Sequence, residues 1–472
     1  MMFYYTQEKM VRQLAFIVGI WEMASAWRGA EMSFVCIQKI LPVNEKFLLK
    51  NYESYVTMIA TFSEYFWNCF RIFLELLKDG GNSMNYYERA VALKEETVAH
   101  RRWFHYNAET GLNMPKGQAY VLEQLEKMGI EAKACGNGVT ATIGKGGKVL
   151  LLRADMDALP MPELSGESFA CPTGQQCHAC GHDFHVSMLL TAAKMLKENE
   201  ENLEGTVKFM FQPAEETFEG AKNMVANGIL ENPKPDAALA FHVTSGKRLP
   251  GLYIYNGTGT MMYSVNGFKI TVKGRGAHGA YPQMAIDPIN IAVNIYQGLE
   301  ALIAREVDPA KANVLTIGKF VGGSAANIIP ETVELQGTLR SNDKASRELL
   351  VRRIREVAER TAAVYGGTIE YEELSDVPPL ICDPALTNEF AGYMSQLPGM
   401  HGFPGMVSSA SEDFAVVADL VPSTMMYISA GFNDERGEAN AHNPKVRFNE
   451  DVCPFGAAAY AHCATEWLKN HK

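Results

Sequence analysis

The sequence predicts an α/β protein: a mostly parallel sheet with helices on both faces, interrupted by an inserted ferredoxin-like α+β domain. Three observations carry this. Short apolar runs alternate with helical patterns, which implies parallel strands joined by crossovers. Polar clusters follow those runs, as ligand-binding groups do at the carboxyl ends of parallel strands. Between Asn266 and Asp376 the order changes to β-α-β-β-α-β, the split arrangement of ferredoxin-like folds.

Each element has a local reason. From Tyr86 to Ala108 charged residues alternate with Val91, Leu93 and Val98 in a helical pattern. A second helix fits Lys116 to Met128, with Gly129 as its stop. Strands follow at Val139 to Ile143 and Val149 to Leu152, with Gly144 to Gly147 as the turn. Val149-Leu150-Leu151-Leu152 does not alternate, so it reads as a strand buried on both faces. Phe184 to Lys197 places Val186, Leu189, Leu190 and Ala193 on one helical face. Further strands are expected at Val207 to Phe211, Ala237 to Phe241 and Met425 to Ser429. In the insertion the strands are Phe268 to Val272, Val314 to Phe320, Val333 to Leu339 and Thr368 to Glu372. Helices Pro288 to Arg305 and Ala345 to Tyr365 separate them.

The chain has 472 residues and a net charge of −11, from 43 basic and 54 acidic side chains. That length exceeds one ordinary core, so two domains and an appendage are expected. At 47% hydrophobic and 21% charged residues it reads as globular. The acidic balance opposes a general nucleic-acid binder, which needs a basic face. Every apolar run of about 18 residues is broken by a charge, so no membrane-spanning helix is expected. Six Cys and His residues crowd between Cys171 and His185, which suggests metal or catalysis in a reducing, cytoplasmic compartment.

The expected segments are an N-terminal extension at 1–83, a first part at 84–265, the insertion at 266–376 and a second part at 377–472. The extension differs in texture. One reading is a signal peptide: Lys9 and Arg12, then Leu14 to Trp21, then Ala24-Ser25-Ala26. Another is an added helical segment. The expectation adopted is that the native start is Met84, because Gly80-Gly81 can be encoded by GGAGG, a bacterial ribosome-binding sequence.

The densest chemistry is His178-Ala179-Cys180-Gly181-His182-Asp183. A thiolate and an imidazole two residues apart can reach one metal ion, and Gly181 permits the tight backbone. The alternative is a structural zinc knot of Cys171, Cys177, Cys180 and a histidine. His178 and His185 can serve as hydrogen-bond partners around the site. Glu215-Glu216 offers one carboxylate for a metal and one for a general base, or simply acids at a helix start. His242 and His442 alone would read as a core and a loop residue; the sheet brings both near Cys180. Asp155 and Asp157 either orient a ligating imidazole or cap the next turn. Gly274-Arg275-Gly276-Ala277-His278-Gly279 reads as a hinge-like loop able to bring His278 over the site. It lacks the Gly-Lys-Ser/Thr ending of a phosphate loop. Asn327 ends a glycine-rich stretch, and Arg340 suits either a substrate carboxylate or an internal ion pair.

Together these residues resemble the metallo-amidohydrolase family of aminoacylases, carboxypeptidase G, hippurate hydrolases and plant indole-acetyl-amino-acid hydrolases. The matching stretches are Arg153 to Pro160, His178 to Asp183, Gln212 to Glu216, Gly276 to Ala280, Asn327 to Pro330, Gly337 to Arg340, Ser411 to Phe414 and His442 to Pro444. The resemblance implies a metallopeptidase-like catalytic domain at 84–265 and 377–472, with a lid and dimerisation domain at 266–376. It implies two divalent ions, Mn or Zn, with Co or Ni as alternatives. Cys180 would bridge them, and His182, Glu216, His242 and His442 would complete the set. Glu215 would be the general base. His278, Asn327 and Arg340 match lid positions that bind the substrate carboxylate or polarise the carbonyl.

The resemblance further implies hydrolysis of N-acyl amino acids and a homodimer or higher homo-oligomer. The partner is a small molecule; no nucleic acid or membrane is expected. Alternatives on the same residues are a dipeptidase or carboxypeptidase, or a non-catalytic metal-dependent binding protein. Two departures stand out. Tyr106-Asn107-Ala108 occupies a place where His-Pro-type sequences are frequent, and is expected to mark a specificity subgroup. Gly279 stands where Ala is usual, with little expected effect.

Overall fold

The computed structural model describes residues 84–405 and 407–472, and the readings of residues 1–83 lie outside them. Strand Val149–Asp155 is buried along its whole length. Leu150 and Leu152 point into one apolar cluster and Leu151 into another, so the strand is covered on both faces. Thr206–Gln212 and Ser423–Ser429 are likewise buried throughout.

The large sheet has eight strands. Its order is Ala132–Cys135, Gly138–Gly144, Thr206–Gln212, Val149–Asp155, Ala237–Thr244, Ser423–Ser429, Leu252–Tyr255 and His401–Pro404. The four central strands, from Thr206–Gln212 to Ser423–Ser429, are mutually parallel. Antiparallel pairings flank them, and the outermost His401–Pro404 runs parallel to Leu252–Tyr255. Because the central strands share a direction, their carboxyl ends meet at one edge. Helices His182–Glu198 and Cys453–Asn470 cover one face through Phe184, Leu189, Tyr460 and Cys463, all fully buried. Each such apolar side chain contributes about 2 kcal/mol by leaving water. Gly220–Ala226 and Ala415–Ala418 contribute to the cluster on the other face.

The second sheet has four antiparallel strands, in the order Asn313–Gly322, Thr332–Ser341, Val265–Lys273 and Thr368–Val377. Its chain order is the expected β-α-β-β-α-β. Helices Pro288–Glu306 and Lys344–Val364 bury Ile291, Ile295, Leu350 and Ile354 against Phe268, Ile270 and Val272. Asp287 and Asp343 cap the two helices by accepting backbone N–H bonds.

Three expectations need correction. The helix expected from Tyr86 to Ala108 is two, Tyr86–Ala92 and Lys94–Tyr106, separated at Leu93. The strand expected over Ala237 to Phe241, with His242 at its end, runs on to Thr244, so His242 lies within it. The Gly274–Gly279 loop, expected to be hinge-like, is tied by backbone bonds to other residues of the insertion. Gly274 N–H donates to Glu331 O at 2.9 Å, Arg275 and Ile286 exchange backbone bonds, and Gly279 N–H donates to Asn327 O at 2.8 Å. An added Cβ on Gly279 would come within 3.1 Å of the Asn327 carbonyl, so this position is tighter than expected. No described helix is long and apolar enough to cross a membrane.

Candidate metal centre

The site is assembled at the carboxyl edge of the parallel strands. Cys180 precedes helix His182–Glu198, and Gly181 makes the entry with φ 90°. A Cβ there would lie 2.4 Å from Val243 Cγ2, so only glycine fits both the space and the left-handed backbone. The entry aims Cys180 Sγ at His242 Nε2, 3.5 Å away. Glu215 and Glu216 follow strand Thr206–Gln212, after Ala214 with φ 54°. His442, with φ 63°, is tied back by its N–H to Ala179 O at 2.9 Å. Its Nε2 lies 3.3 Å from Glu216 Oε1.

His182 is the centre of this arrangement. Its Nδ1 lies 3.4 Å from Asp157 Oδ1, and its Nε2 lies 3.9 Å from both Glu215 Oε2 and Glu216 Oε1. Both ring nitrogens are buried without a hydrogen-bond partner, as is Glu216 Oε1. Buried polar atoms are rarely left so, and an ion would satisfy them. Cys180, His182 and His242 converge closely enough to share one ion; so do Cys180, Glu216 and His442, and His182, Glu215 and Glu216. Thiolate, imidazole and carboxylate together suit a divalent transition metal. No group of this kind among the described residues contains Cys171 or Cys177, which disfavours the zinc knot.

Electrostatics divide the two glutamates. Burial, reinforced by Glu412, pushes Glu215 well above the usual carboxylate range. Glu216 is held below its usual range because His442 and His182 outweigh its burial. Burial also raises the Cys180 thiol to about 12, so metal binding there must displace a proton. Burial pushes His242 well down, keeping it neutral.

The chain matches Peptidase family M20/M25/M40 over residues 151–466, a span that contains every site residue above. The chain belongs to this family. An Arabidopsis thaliana relative, IAA-amino acid hydrolase ILR1-like 4, is 37% identical over 79% of this chain and 85% of its own length. N-acetyl-L-cysteine deacetylase of Bacillus subtilis is 32% identical over 79% of this chain and 88% of its own. The crystal structure of Bacillus subtilis YXEP protein, described as a dinuclear metal binding peptidase from M20 family, superposes with a TM-score of 0.68. It is 29% identical, covering 80% of this chain and 99% of that one.

Within this M20 chain the expected residues fall into two sets. Cys180, His182, Glu215, Glu216, His242 and His442 come together. His278 and Asn327 do not join them: both are exposed, and among the described residues His278 Nδ1 accepts only the N–H of Ala280, at 3.1 Å. Register pairs His278 with Ile328, which keeps His278 and Asn327 adjacent to each other. Arg340 does not touch the cluster either; its Nη1 donates to Ser411 Oγ, next in sequence to Glu412.

The remaining polar residues have defined surroundings. His185 donates from Nδ1 to Asp155 Oδ1 at 2.5 Å and accepts from Val243 N–H at Nε2, 2.8 Å, so neither nitrogen is free for a metal. Asp157 faces His182 and accepts from Glu216 N–H at 3.0 Å. His178 is buried with neither nitrogen partnered, and burial lowers its pKa to about 3. Sequence reasoning gave no role to Arg153. Its guanidinium is fully buried and bonds Gln212 at 2.9 Å, Asp155 at 2.8 Å, Glu412 at 2.7 Å and Asp413 at 3.2 Å. The signal was an arginine inside an otherwise apolar strand, a place that demands counter-charges.

Proposed function

We propose that this chain hydrolyses the amide bond of N-acyl amino acids, releasing a carboxylic acid and a free amino acid. The observation that carries the reading is Glu215: a buried carboxyl with a strongly raised pKa, facing an unpartnered His182 beside four further ligand-type side chains, Cys180, Glu216, His242 and His442. A carboxyl tuned upward by burial is suited to accept and return protons near neutrality. The named activities of the relatives give the substrate class.

Cys180, His182, Glu216, His242 and His442 would hold two divalent ions, with Mn or Zn as the proposed identity and Co or Ni as alternatives. When bound, such ions supply Lewis acidity to water and to the scissile carbonyl. Glu215 takes a proton from the attacking water as the new C–O bond forms. It delivers that proton to the nitrogen as the C–N bond breaks. Asp157 and Asp155 lie beside the His182 ring, with carboxylate oxygens 3.4 and 3.7 Å from its two nitrogens. Arg340 takes the substrate carboxylate, which a planar guanidinium can clasp bidentately. His278 and Asn327 act from the insertion, 266–376, as a lid that closes on substrate; one oxyanion donor is typically worth about 3 kcal/mol.

The same proposal places catalysis in 84–265 and 377–472 and dimerisation in 266–376. Exposed Ile289, Val293 and Tyr296 on one helical stripe support an interface there. A cytoplasmic location fits the cysteines of the described residues, all of which are free.

The test is amino-acid release from a panel of N-acyl amino acids and dipeptides by metal-loaded protein. Release from acyl amino acids by wild type, and not by Glu215→Gln, is expected. Release from dipeptides alone would move the activity to a peptidase. Cleavage of neither substrate by protein shown to hold metal would support a binding protein.

A further inference from the structure

Arg340 is a half-buried cation on strand Thr332–Ser341 of the smaller sheet. No acid forms an ion pair with it among the described residues; burial alone acts on it, and lowers its pKa. Its one side-chain hydrogen bond among the described residues runs from Nη1 to Ser411 Oγ. A guanidinium carries five donors, so this contact leaves most of its donor edge free.

Ser411 lies between two anchored stretches of chain. The segment before it is pinned to the connection that enters the smaller sheet. Ser408 N–H donates to Met261 O at 2.9 Å, and Tyr263 N–H donates to Ser408 O at 3.1 Å and Ala410 O at 3.0 Å. The residue after it, Glu412, is buried and immobilised. Its Oε1 accepts from Arg153 Nη2 at 2.7 Å and from Phe414 N–H at 2.9 Å. Arg153 in turn bonds Asp155, whose other oxygen accepts from His185. The Ser411 hydroxyl is therefore a fixed point, set on one side by the path to Arg340 and on the other by the buried charges under the metal ligands.

We propose that Ser411 is a positioning residue: it holds the Arg340 guanidinium by one N–H, so that the remaining donors face the site and meet the substrate carboxylate. This rests on the amidohydrolase reading and on Arg340 as carboxylate anchor. A long arginine without an acid partner samples many rotamers, and one fixed contact removes much of that freedom before substrate arrives. Ser411 thereby selects substrates that carry a carboxylate on the leaving amine.

The experiment uses the full chain loaded with Mn. Steady-state kinetics on one cleaved N-acyl amino acid are compared for wild type, Ser411→Ala, Ser411→Thr and Arg340→Met, with metal content measured for each. Ser411→Ala is expected to raise KM about tenfold, the scale of one hydrogen bond to a charged group, with kcat within about threefold and metal retained. Ser411→Thr, which keeps the hydroxyl, should return KM to within about threefold of wild type. An unchanged KM in Ser411→Ala, a loss confined to kcat, or a loss of metal would overturn the proposal. Arg340→Met separates the two levels. A large rise in KM there with none in Ser411→Ala removes only the role of Ser411, whereas no rise in Arg340→Met removes the anchor itself.

Discussion

His182 Nε2 lies 3.9 Å from Glu215 Oε2, and neither His182 nitrogen has a hydrogen-bond partner. A ligand-type imidazole and a buried carboxyl thus face the same small volume, and the proposed role of that carboxyl is general base. Glu215→Gln keeps the shape and removes the proton acceptor. It should retain metal by elemental analysis while kcat falls by about 10²–10⁴, the usual range for a general base. Near-wild-type turnover in the metal-loaded variant would refute the base assignment.

Cys180 stands 3.5 Å from His242 and shares ligand-type neighbours on two sides. Serine is a poorer metal ligand at neutral pH than a thiolate. Cys180→Ser should lower metal occupancy, seen as loss of bound ion on dialysis, more than it lowers thermal stability of the metal-free protein. Full retention would remove Cys180 from the ligand set.

Arg153 neutralises a buried group of acids that includes Asp155, Glu412 and Asp413. Removing one member of such a network leaves buried charge without a partner, which typically costs about 3–5 kcal/mol. Arg153→Met should lower the urea midpoint accordingly or fail to fold. A midpoint equal to wild type would show that the acids are neutral without it.

His105 bridges two acids, with Nδ1 2.8 Å from Asp183 Oδ2 and Nε2 2.9 Å from Glu163 Oε1. Desolvation opposes the charge, yet Asp183 and Glu163 prevail and raise the His105 pKa. A raised folded-state pKa gives stability that is complete below the unfolded value of about 6.5 and fades as pH rises through the folded value. The stability gap between wild type and His105→Gln should therefore be wider at pH 6 than at pH 9, by urea unfolding. An equal gap at both would mean that His105 is neutral in the fold.

Gly181 combines a φ of 90° with a 2.4 Å approach to Val243 for any added Cβ. Gly181→Ala should destabilise by more than about 1 kcal/mol and loosen metal binding, because the entry of the ligand helix must shift. Unfolding curves with and without metal separate the two effects, and an unchanged midpoint would contradict the strain argument.

The sequence by itself determined the α/β class, the strand and helix positions of the smaller sheet, and the identity of the ligand-type cluster. These follow from local periodicity and from residue chemistry: apolar runs need two covered faces, and Cys-Gly-His with Glu-Glu offers metal donors. It ended the strand of His242 too early, at Phe241, because an imidazole facing a site interrupts the apolar pattern while the backbone ladder continues to Thr244. Only the tertiary structure decided that His185 is bonded on both nitrogens and so cannot ligate. It alone joined Arg153 to Glu412 and Asp413, some 260 positions away in sequence. It also tied the Gly274 to Gly279 loop to Glu331, Ile286 and Asn327. The physical reason is the same in each case: hydrogen-bond commitments and charge compensation are made between strands that meet only after the chain has folded.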